Sequence, residues 1–100
     1  MVNIAKVTVN PSKVEDYKRI LQEEMETSLR LEKDVYVLYA VWDKIHPNQF
    51  TILEVYKDKE AYDKHFVSPH LQKYFTETKE MVQHLEISEV FPLIDGIRMK

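Results

Sequence analysis

Two segments of this chain are hydrophobic at nearly every position, and they restrict its fold more than any other feature. Residues 35–42 (VYVLYAVW) carry apolar side chains on both alternating sets, and so does most of 50–56 (FTILEVY). Because successive side chains of a strand point to opposite faces, both faces of these strands need to be covered. With 100 residues, the chain is long enough for one hydrophobic core. We therefore expect a single domain over residues 1–100.

The first third of the chain predicts a strand followed by a long helix. Residues 2–9 are rich in β-branched side chains and are bounded by an Asn-Pro pair, which is typical of a strand. Either Pro11 at the first helical position or a capping box of Ser12 and Glu15 can begin the helix. Apolar residues then recur at three- and four-residue steps to about Glu32, which predicts an amphipathic helix.

The second half predicts more helix and a final extended segment. Asp58 can cap a helix over about 59–67, and the Ser-Pro pair at 68–69 can begin another that runs to about Leu85. Apolar residues from there to Leu93 suggest a last strand or an extended tail.

The resulting order is β-α-β-β-α-β, which predicts an α+β, ferredoxin-like fold with an antiparallel sheet. In that fold the helices cover one face of the sheet, so strands that are apolar on both faces need a second cover. A second copy of the same sheet would supply it, and we predict a homodimer packed sheet against sheet. Terminal segments folded across the open face are the alternative.

Composition excludes several kinds of site. The chain has one glycine and no cysteine. Glycine-rich phosphate or dinucleotide loops, disulfides, thiolate metal sites and cysteine nucleophiles are therefore excluded. The net charge of −3, with mixed acidic and basic residues, gives no basic surface for nucleic acid. With no membrane span and no signal-peptide pattern, we expect a cytoplasmic protein that binds neither nucleic acid nor membrane.

One carboxylate interrupts an apolar strand face. Glu54 shares its face with Phe50, Ile52 and Tyr56. A buried carboxylate is costly unless it is hydrogen-bonded, paired or protonated, and such groups collect at functional sites. An ion pair across a subunit interface, or an outward position on an edge strand, would also account for Glu54.

Two histidines flank the Ser-Pro pair. The five-residue separation of His65 and His70 does not place both on one face of a continuous helix, but the break could aim them into a shared pocket. Imidazole is the usual general base near neutral pH. A position on the helix surface is equally consistent with His65. A metal site with Glu54 as third ligand is another alternative, although no metal-binding spacing supports it.

Aromatic residues on the predicted strands and helices could line a pocket for a flat ring. Such residues are more often core, but they would suit an aromatic ligand if their packing left a cavity. The set comprises Tyr36, Tyr39, Trp42, Tyr56, Tyr62, Phe66, Tyr74 and Phe75.

The stretch over residues 50–70 resembles the antibiotic biosynthesis monooxygenase superfamily. The residues that carry the resemblance are Glu54, Tyr56, Asp58, Ala61, His65, Ser68, Pro69 and His70. It implies a dimeric α/β barrel of ferredoxin-like subunits. It also implies a monooxygenase that oxidises a small hydroxyaromatic, such as a quinol, with O₂ and without a metal, flavin, haem or other cofactor.

On this resemblance we assign catalytic roles to His65, as the base, and to Glu54. The residues expected to bind substrate are His70, Tyr36, Trp42, Tyr56, Phe66 and Tyr74. Another branch isomerises a small phosphorylated keto-compound, and this activity is an alternative, as is a non-catalytic dimeric ligand-binding module. The haem-degrading branch does not fit, because its Asn, Trp and His fall on Ala5, His65 and Phe75.

Overall fold

A computed structural model describes residues 1–94 and shows one four-stranded antiparallel sheet with helices on one face. The strands are β1 (Val2–Val9), β2 (Val35–Trp42), β3 (Gln49–Tyr56) and β4 (Val82–Val90), in the order β2-β3-β1-β4. The helices are α1 (Val14–Leu31), α2 (Lys59–Phe66) and α3 (Pro69–Thr78). This order confirms the predicted ferredoxin-like α+β fold. None of the helices in the described range is long and apolar enough to cross a membrane.

Side-chain caps begin the helical segments at the predicted places. Asn10 caps a short 3-10 turn that starts at Pro11 and leads into α1. Asp58 caps α2 and Ser68 caps α3, because each side-chain oxygen accepts a backbone N–H of the first turn. The Ser-Pro pair therefore divides this region into two helices.

The predicted end of the last helix is wrong. The helix α3 ends at Thr78, and Leu85 lies in the middle of β4 rather than at a helix end. Apolar spacing near residue 82 is compatible with both a helix and a strand. Pairing decides between them, since β4 runs antiparallel to β1 from Val82 to Val90 and supplies the fourth strand of the sheet.

The residues after β4 form a tail. Phe91 and Leu93 follow the strand and are almost fully exposed, at 92% and 100%. The sequence predicted either a last strand or an extended tail here. The strand is present as β4, and Phe91 and Leu93 lie beyond its end. Among residues 1–94, the tail therefore buries little apolar surface against the sheet.

The two faces of the sheet differ in cover. Side chains of β1 and β3 that face the helices are buried or partly buried, and they are Asn3, Ala5, Val7, Val9, Phe50, Ile52, Glu54 and Tyr56. On the same side, Leu85 and Ile87 of β4 are 46% and 49% exposed. The opposite face, called here the open face, carries the apolar residues Ile4, Val37, Tyr39, Val41, Leu53 and Val55 together with the polar residues Lys6, Thr8, Thr51 and Glu86. Tyr39 is 64% exposed, and Leu53 is 37% exposed. Glu54 therefore lies under the helices on an inner strand, and the edge-strand interpretation of this residue is wrong.

Candidate active site

A mainly apolar cavity of about 170 Å³ lies between the sheet and the three helices. A void of roughly 150 Å³ can hold a benzene ring. The cavity is therefore large enough for one aromatic ring with small substituents. The polar residues of its lining are Glu24, Glu54, Tyr56, Tyr62, His65, Tyr74, Thr78 and Lys79.

Five of the predicted site residues line this cavity, and three lie elsewhere. Those in the lining are Glu54, Tyr56, His65, Phe66 and Tyr74. Trp42 is 52% exposed and packs beneath the Lys18 ammonium, which lies 3.8 Å from its ring centroid. Tyr36 is 53% exposed and sits at an irregularity in the pairing of β2 with β3. The third, His70, lines a small separate cleft between α1 and α3.

The environment of His65 favours one tautomer of its imidazole. His65 is buried on α2, and its Nδ1 lies 2.8 Å from Oε2 of Glu32, the residue that follows α1. A carboxylate accepts hydrogen bonds, so Nδ1 carries a proton, and in the neutral imidazole the lone pair is then on Nε2. Nε2 lies 3.8 Å from Oε1 of the cavity residue Glu24, too far for a hydrogen bond. This nitrogen is therefore available as a base.

One carboxylate holds both histidines. The Nε2 atom of His70 lies 2.6 Å from the same Oε2 of Glu32 that binds His65. We call Glu32, His65 and His70 the histidine clamp. Burial acts to raise the pKa of the Glu32 carboxyl, but the hydrogen bonds from the two histidines outweigh it, and the pKa is lowered. The break at Ser68 thus does bring His65 and His70 together, because both bind the carboxylate of Glu32. No sequence pattern marks Glu32 as a site residue.

Glu54 occupies a different environment, inside the cavity. The Tyr56 hydroxyl donates a hydrogen bond of 2.9 Å to its Oε1. Burial raises the pKa of Glu54, and the Tyr56 hydrogen bond and the field of His65 counteract this only in part, while Glu24 adds to the rise. The carboxylate that orients His65 in the structure is Glu32, and Glu54 is joined to Tyr56.

A third buried glutamate also lines the cavity. Glu24 is 7% exposed and accepts a 2.5 Å hydrogen bond from the Ser28 hydroxyl one turn later. The sequence contains a signal for it, because Tyr17, Leu21, Glu24 and Ser28 follow the three- and four-residue spacing of the buried face of α1. A carboxylate at such a spacing predicts a buried polar group on the face of the helix that packs against the sheet.

The tyrosines in the cavity and packed behind its lining are neutral hydrogen-bonding groups. Tyr17 and Tyr74 share a 2.6 Å hydrogen bond between their hydroxyls. Burial raises the pKa of Tyr74 to about 12, and it raises the pKa of Tyr17 and Tyr56 further. None of these phenols is therefore ionised near neutral pH, which leaves His65 and the glutamates as the groups able to take up a proton.

A divalent cation has one candidate set of ligands in the described residues. Glu24, His65 and His70 offer nitrogen and oxygen atoms that lie within 4.8 Å of one another. Such donors suit a first-row transition metal. However, Glu32 Oε2 already lies 2.8 and 2.6 Å from imidazole nitrogens of the two histidines, and these are hydrogen-bond lengths. The arrangement is that of a hydrogen-bonded network.

Comparisons with known proteins agree on the family. The family model described as antibiotic biosynthesis monooxygenase matches residues 1–77. A proposed antibiotic biosynthesis monooxygenase from Bacteroides thetaiotaomicron is 47% identical, with a TM-score of 0.97, over 100% of this chain and 95% of that one. No curated protein gave a match.

Two further structures extend this likeness. A proposed monooxygenase from Lactobacillus acidophilus is 30% identical with a TM-score of 0.84, and the match covers 86% of this chain but 41% of that one. A proposed antibiotic biosynthesis monooxygenase from Nitrosomonas europaea is 19% identical with a TM-score of 0.87, over 93% of this chain and 98% of that one, which shows the shared fold. On the family match and the Bacteroides structure, the chain belongs to the antibiotic biosynthesis monooxygenase family.

Proposed function

We propose that this protein is a monooxygenase that uses no cofactor and oxidises a small, electron-rich hydroxyaromatic with O₂. The observation that carries the proposal is the placement of His65, whose Nδ1 is held by Glu32 while its Nε2 is free beside a cavity the size of one substituted ring. Membership of the family supports the class of reaction.

The reaction begins with a proton transfer. His65 Nε2 takes the proton of a substrate hydroxyl, and the imidazolium that forms is stabilised by the Glu32 carboxylate on its other nitrogen. The resulting aryloxide is electron-rich enough to give an electron to O₂, after which a carbon–oxygen bond forms between the two radicals at a ring carbon that carries hydrogen. The peroxide anion takes the proton back from His65. Its O–O bond then breaks as water is lost with the hydrogen of that carbon, and the other oxygen atom stays on the ring as a carbonyl. The apolar lining keeps water away from these species.

The remaining lining residues hold the ring. Phe66 and Tyr74 line the cavity from α2 and α3, and both are aromatic surfaces against which a flat ring can pack. Tyr56 and Glu54 form a polar pair on β3 within reach of a ring substituent. His70 supports the clamp, while Tyr36 and Trp42 have no part in the proposal.

An oxygen electrode tests this proposal. Candidate quinols and polyphenols are added in buffer free of metals and flavin, and we expect O₂ uptake together with an oxygenated product by mass spectrometry. His65→Ala should lower turnover by about 10²- to 10⁴-fold. The exposed loop residue His46 supplies the matched control, and His46→Ala should retain wild-type turnover. Turnover of His65→Ala within threefold of wild type would show that His65 is not the base.

The alternatives give different results in the same experiment. Isomerisation of a keto-compound consumes no O₂. A phosphorylated substrate is also poorly served by the lining, in which the single ammonium of Lys79 is accompanied by the Glu24 carboxylate. A non-catalytic module would bind a ring with neither O₂ uptake nor product.

We also propose that the protein forms a homodimer through the open face. In the sheet, Leu53 lies between Ile4 and Tyr39, which makes a continuous apolar surface across three strands. A second copy packed sheet against sheet would bury it. Light scattering after size exclusion should give twice the monomer mass. Leu53→Lys should yield monomer, whereas the exposed loop substitution Ile45→Lys should leave the dimer intact.

A further inference from the structure

The cavity contains more hydrogen-bond acceptors than donors near Glu54. Glu54 and Glu24 together present four carboxylate oxygens, and the donors found for them are the hydroxyls of Tyr56 and Ser28. The hydroxyl of Tyr74 is engaged with Tyr17. Two buried carboxylates in one apolar cavity also repel each other. The hydrogen bonds found for the two carboxylates therefore fill only part of their acceptor capacity.

The side-chain amide of Asn3, next to Glu54, also has an oxygen without a hydrogen-bond donor in the part of the chain that the structure describes. Asn3 is 2% exposed, and its Oδ1 has no hydrogen-bond partner among residues 1–94. It is the direct partner of Glu54 in the pairing of β1 with β3. Side chains at such positions share a face of the sheet, with Cβ atoms about 4.5–5.5 Å apart. A buried acceptor without a donor costs free energy. A proton on the second oxygen of Glu54 would supply that donor.

Charges around Glu54 act in both directions, since the field of His65 lowers its pKa and that of Glu24 raises it. No lysine or arginine within residues 1–94 forms an ion pair with it. The titratable groups that line the cavity with it, or pack against its lining, are Tyr17 and Glu24 of α1, Tyr56 of β3, Tyr62 and His65 of α2, Tyr74 of α3, and Lys79. Of these, His65 and Lys79 can carry positive charge, and His65 already has the Glu32 carboxylate as its partner.

We propose that Glu54 is a neutral carboxylic acid in the resting protein, and that it donates a hydrogen bond to the substrate oxygen from which His65 removes the proton. In the resting site its proton lies toward Asn3 Oδ1. When the aryloxide forms, the proton turns to that oxygen, because a hydrogen bond to an anion is stronger than one to a neutral amide. The direction of the Glu54 pKa, raised by burial, agrees with this assignment.

The chemistry of the cavity follows from this assignment. A carboxyl group kept neutral by its surroundings can act as a hydrogen-bond donor to a developing oxyanion at neutral pH. An ionised Glu54 would repel the same anion. The site therefore takes ligands that bind through a single aryloxide oxygen, and this second half of the proposal rests on the proposed function.

Infrared spectroscopy tests the protonation state without substrate or turnover. We expect the wild-type protein at neutral pH to show the carbonyl stretch of a protonated carboxylic acid, a band that Glu54→Gln removes. Glu24→Gln and the exposed control Glu60→Gln should retain it. Absence of the band in the wild type, or its loss in Glu24→Gln instead, would overturn the assignment.

A second measurement avoids dependence on the variants. Wild-type protein labelled with ¹³C at the glutamate side-chain carboxyl should show one resonance that stays at the protonated position through neutral pH. If every glutamate resonance is at the carboxylate position, Glu54 is ionised and the proposal fails. Neither experiment depends on oxygenase activity, so their failure is distinct from failure of the proposed function.

Ligand binding tests the donor role, with para-nitrophenol as the probe. Its anion absorbs visible light, so binding as the phenolate can be followed directly. We expect it to bind as the phenolate, and Glu54→Leu to weaken this binding about three- to tenfold. The methyl ether para-nitroanisole, which cannot ionise, should bind both proteins equally. If Glu54→Leu binds the phenolate as tightly as wild type or more tightly, Glu54 is not the donor.

Discussion

Glu32 and Glu54 are both partly buried glutamates, yet their surroundings shift their pKa values in opposite directions. Glu32 receives hydrogen bonds from His65 and His70, and its pKa is lowered. Glu54 receives one from Tyr56, and its pKa is raised. The difference is the number and charge of the donors, since burial acts to raise the pKa at both positions. One glutamate is thereby suited to hold a base, and the other to hold a proton.

The same comparison shows where the site is rigid. Glu32 joins the end of α1 to α2 and α3 through side chains 33 and 38 residues away in the chain. Glu54 bonds to a side chain two residues along its own strand. The histidine clamp therefore fixes three elements relative to one another, whereas Glu54 can change its hydrogen-bond partner without moving the fold.

Removing the carboxylate of the clamp should give the largest effect. Glu32→Ala takes the shared acceptor from the buried imidazole N–H of His65 and the partly buried one of His70, and we expect it to lower the free energy of unfolding by about 3 kcal/mol. Turnover should also fall by about 10²-fold or more, because Nδ1 of His65 is no longer held. Urea unfolding and O₂ uptake measure the two effects.

Glu23 of α1 is the control for this substitution. Its carboxylate pairs with Lys73 at the surface, at 3.2 Å, with both side chains more than half exposed. Glu23→Ala should change stability and turnover little. If Glu32→Ala behaves like Glu23→Ala, the clamp does not position His65.

The pH dependence of stability should separate the two glutamates. The pKa of Glu32 is lowered on folding, so its contribution is present above the unfolded-state pKa and is lost as pH falls through the folded one. The pKa of Glu54 is raised, so its contribution is present below the unfolded-state value and is lost as pH rises through the folded one. Glu32→Gln should therefore reduce the loss of stability as pH falls below the unfolded-state pKa. Glu54→Gln should reduce the loss of stability as pH rises above it.

Urea titrations from acid to neutral pH measure these slopes. The control is Glu60→Gln on the exposed side of α2, which should follow the wild-type curve on both limbs. Equal slopes for the Glu32 and Glu54 variants would contradict the difference between the two environments.

Removal of metal should have the smallest effect. If the two histidines are held by Glu32 through hydrogen bonds, dialysis against a chelator should leave turnover within about twofold, below the range of a lost catalytic group. Adding Zn²⁺ back should not raise it. A large loss that Zn²⁺ or another divalent ion reverses would mean that Glu24, His65 and His70 bind a catalytic metal instead.

Local patterns were sufficient to predict most of the fold. The strands β1, β2 and β3 and the start of α2 follow from β-branched or apolar runs and from capping, because the residues that determine them are neighbours in sequence. The end of α3 could not be placed in this way, because the apolar spacing near Val82 fits a helix as well as a strand. Pairing with β1, which is distant in sequence, makes this segment a strand.

The site was predictable only where its residues share an element or a motif. His65 and Glu54 stand out as polar groups in apolar surroundings, and Glu24 could have been found from its spacing with Leu21. Glu32 could not, because it lies in a polar segment after α1 and acquires its partners through contacts distant in sequence. The position of Tyr36 depends on an irregularity in strand pairing, which its own sequence does not reveal.

The open face has a consequence for how the protein must be handled. If a second copy covers Tyr39 and Leu53 as we propose, part of the folding free energy comes from association, and mass action then governs it. The melting temperature should rise with protein concentration. Dilute assays would measure a weaker fold than concentrated ones, so the cavity could lose its shape on dilution although every residue within it is intact.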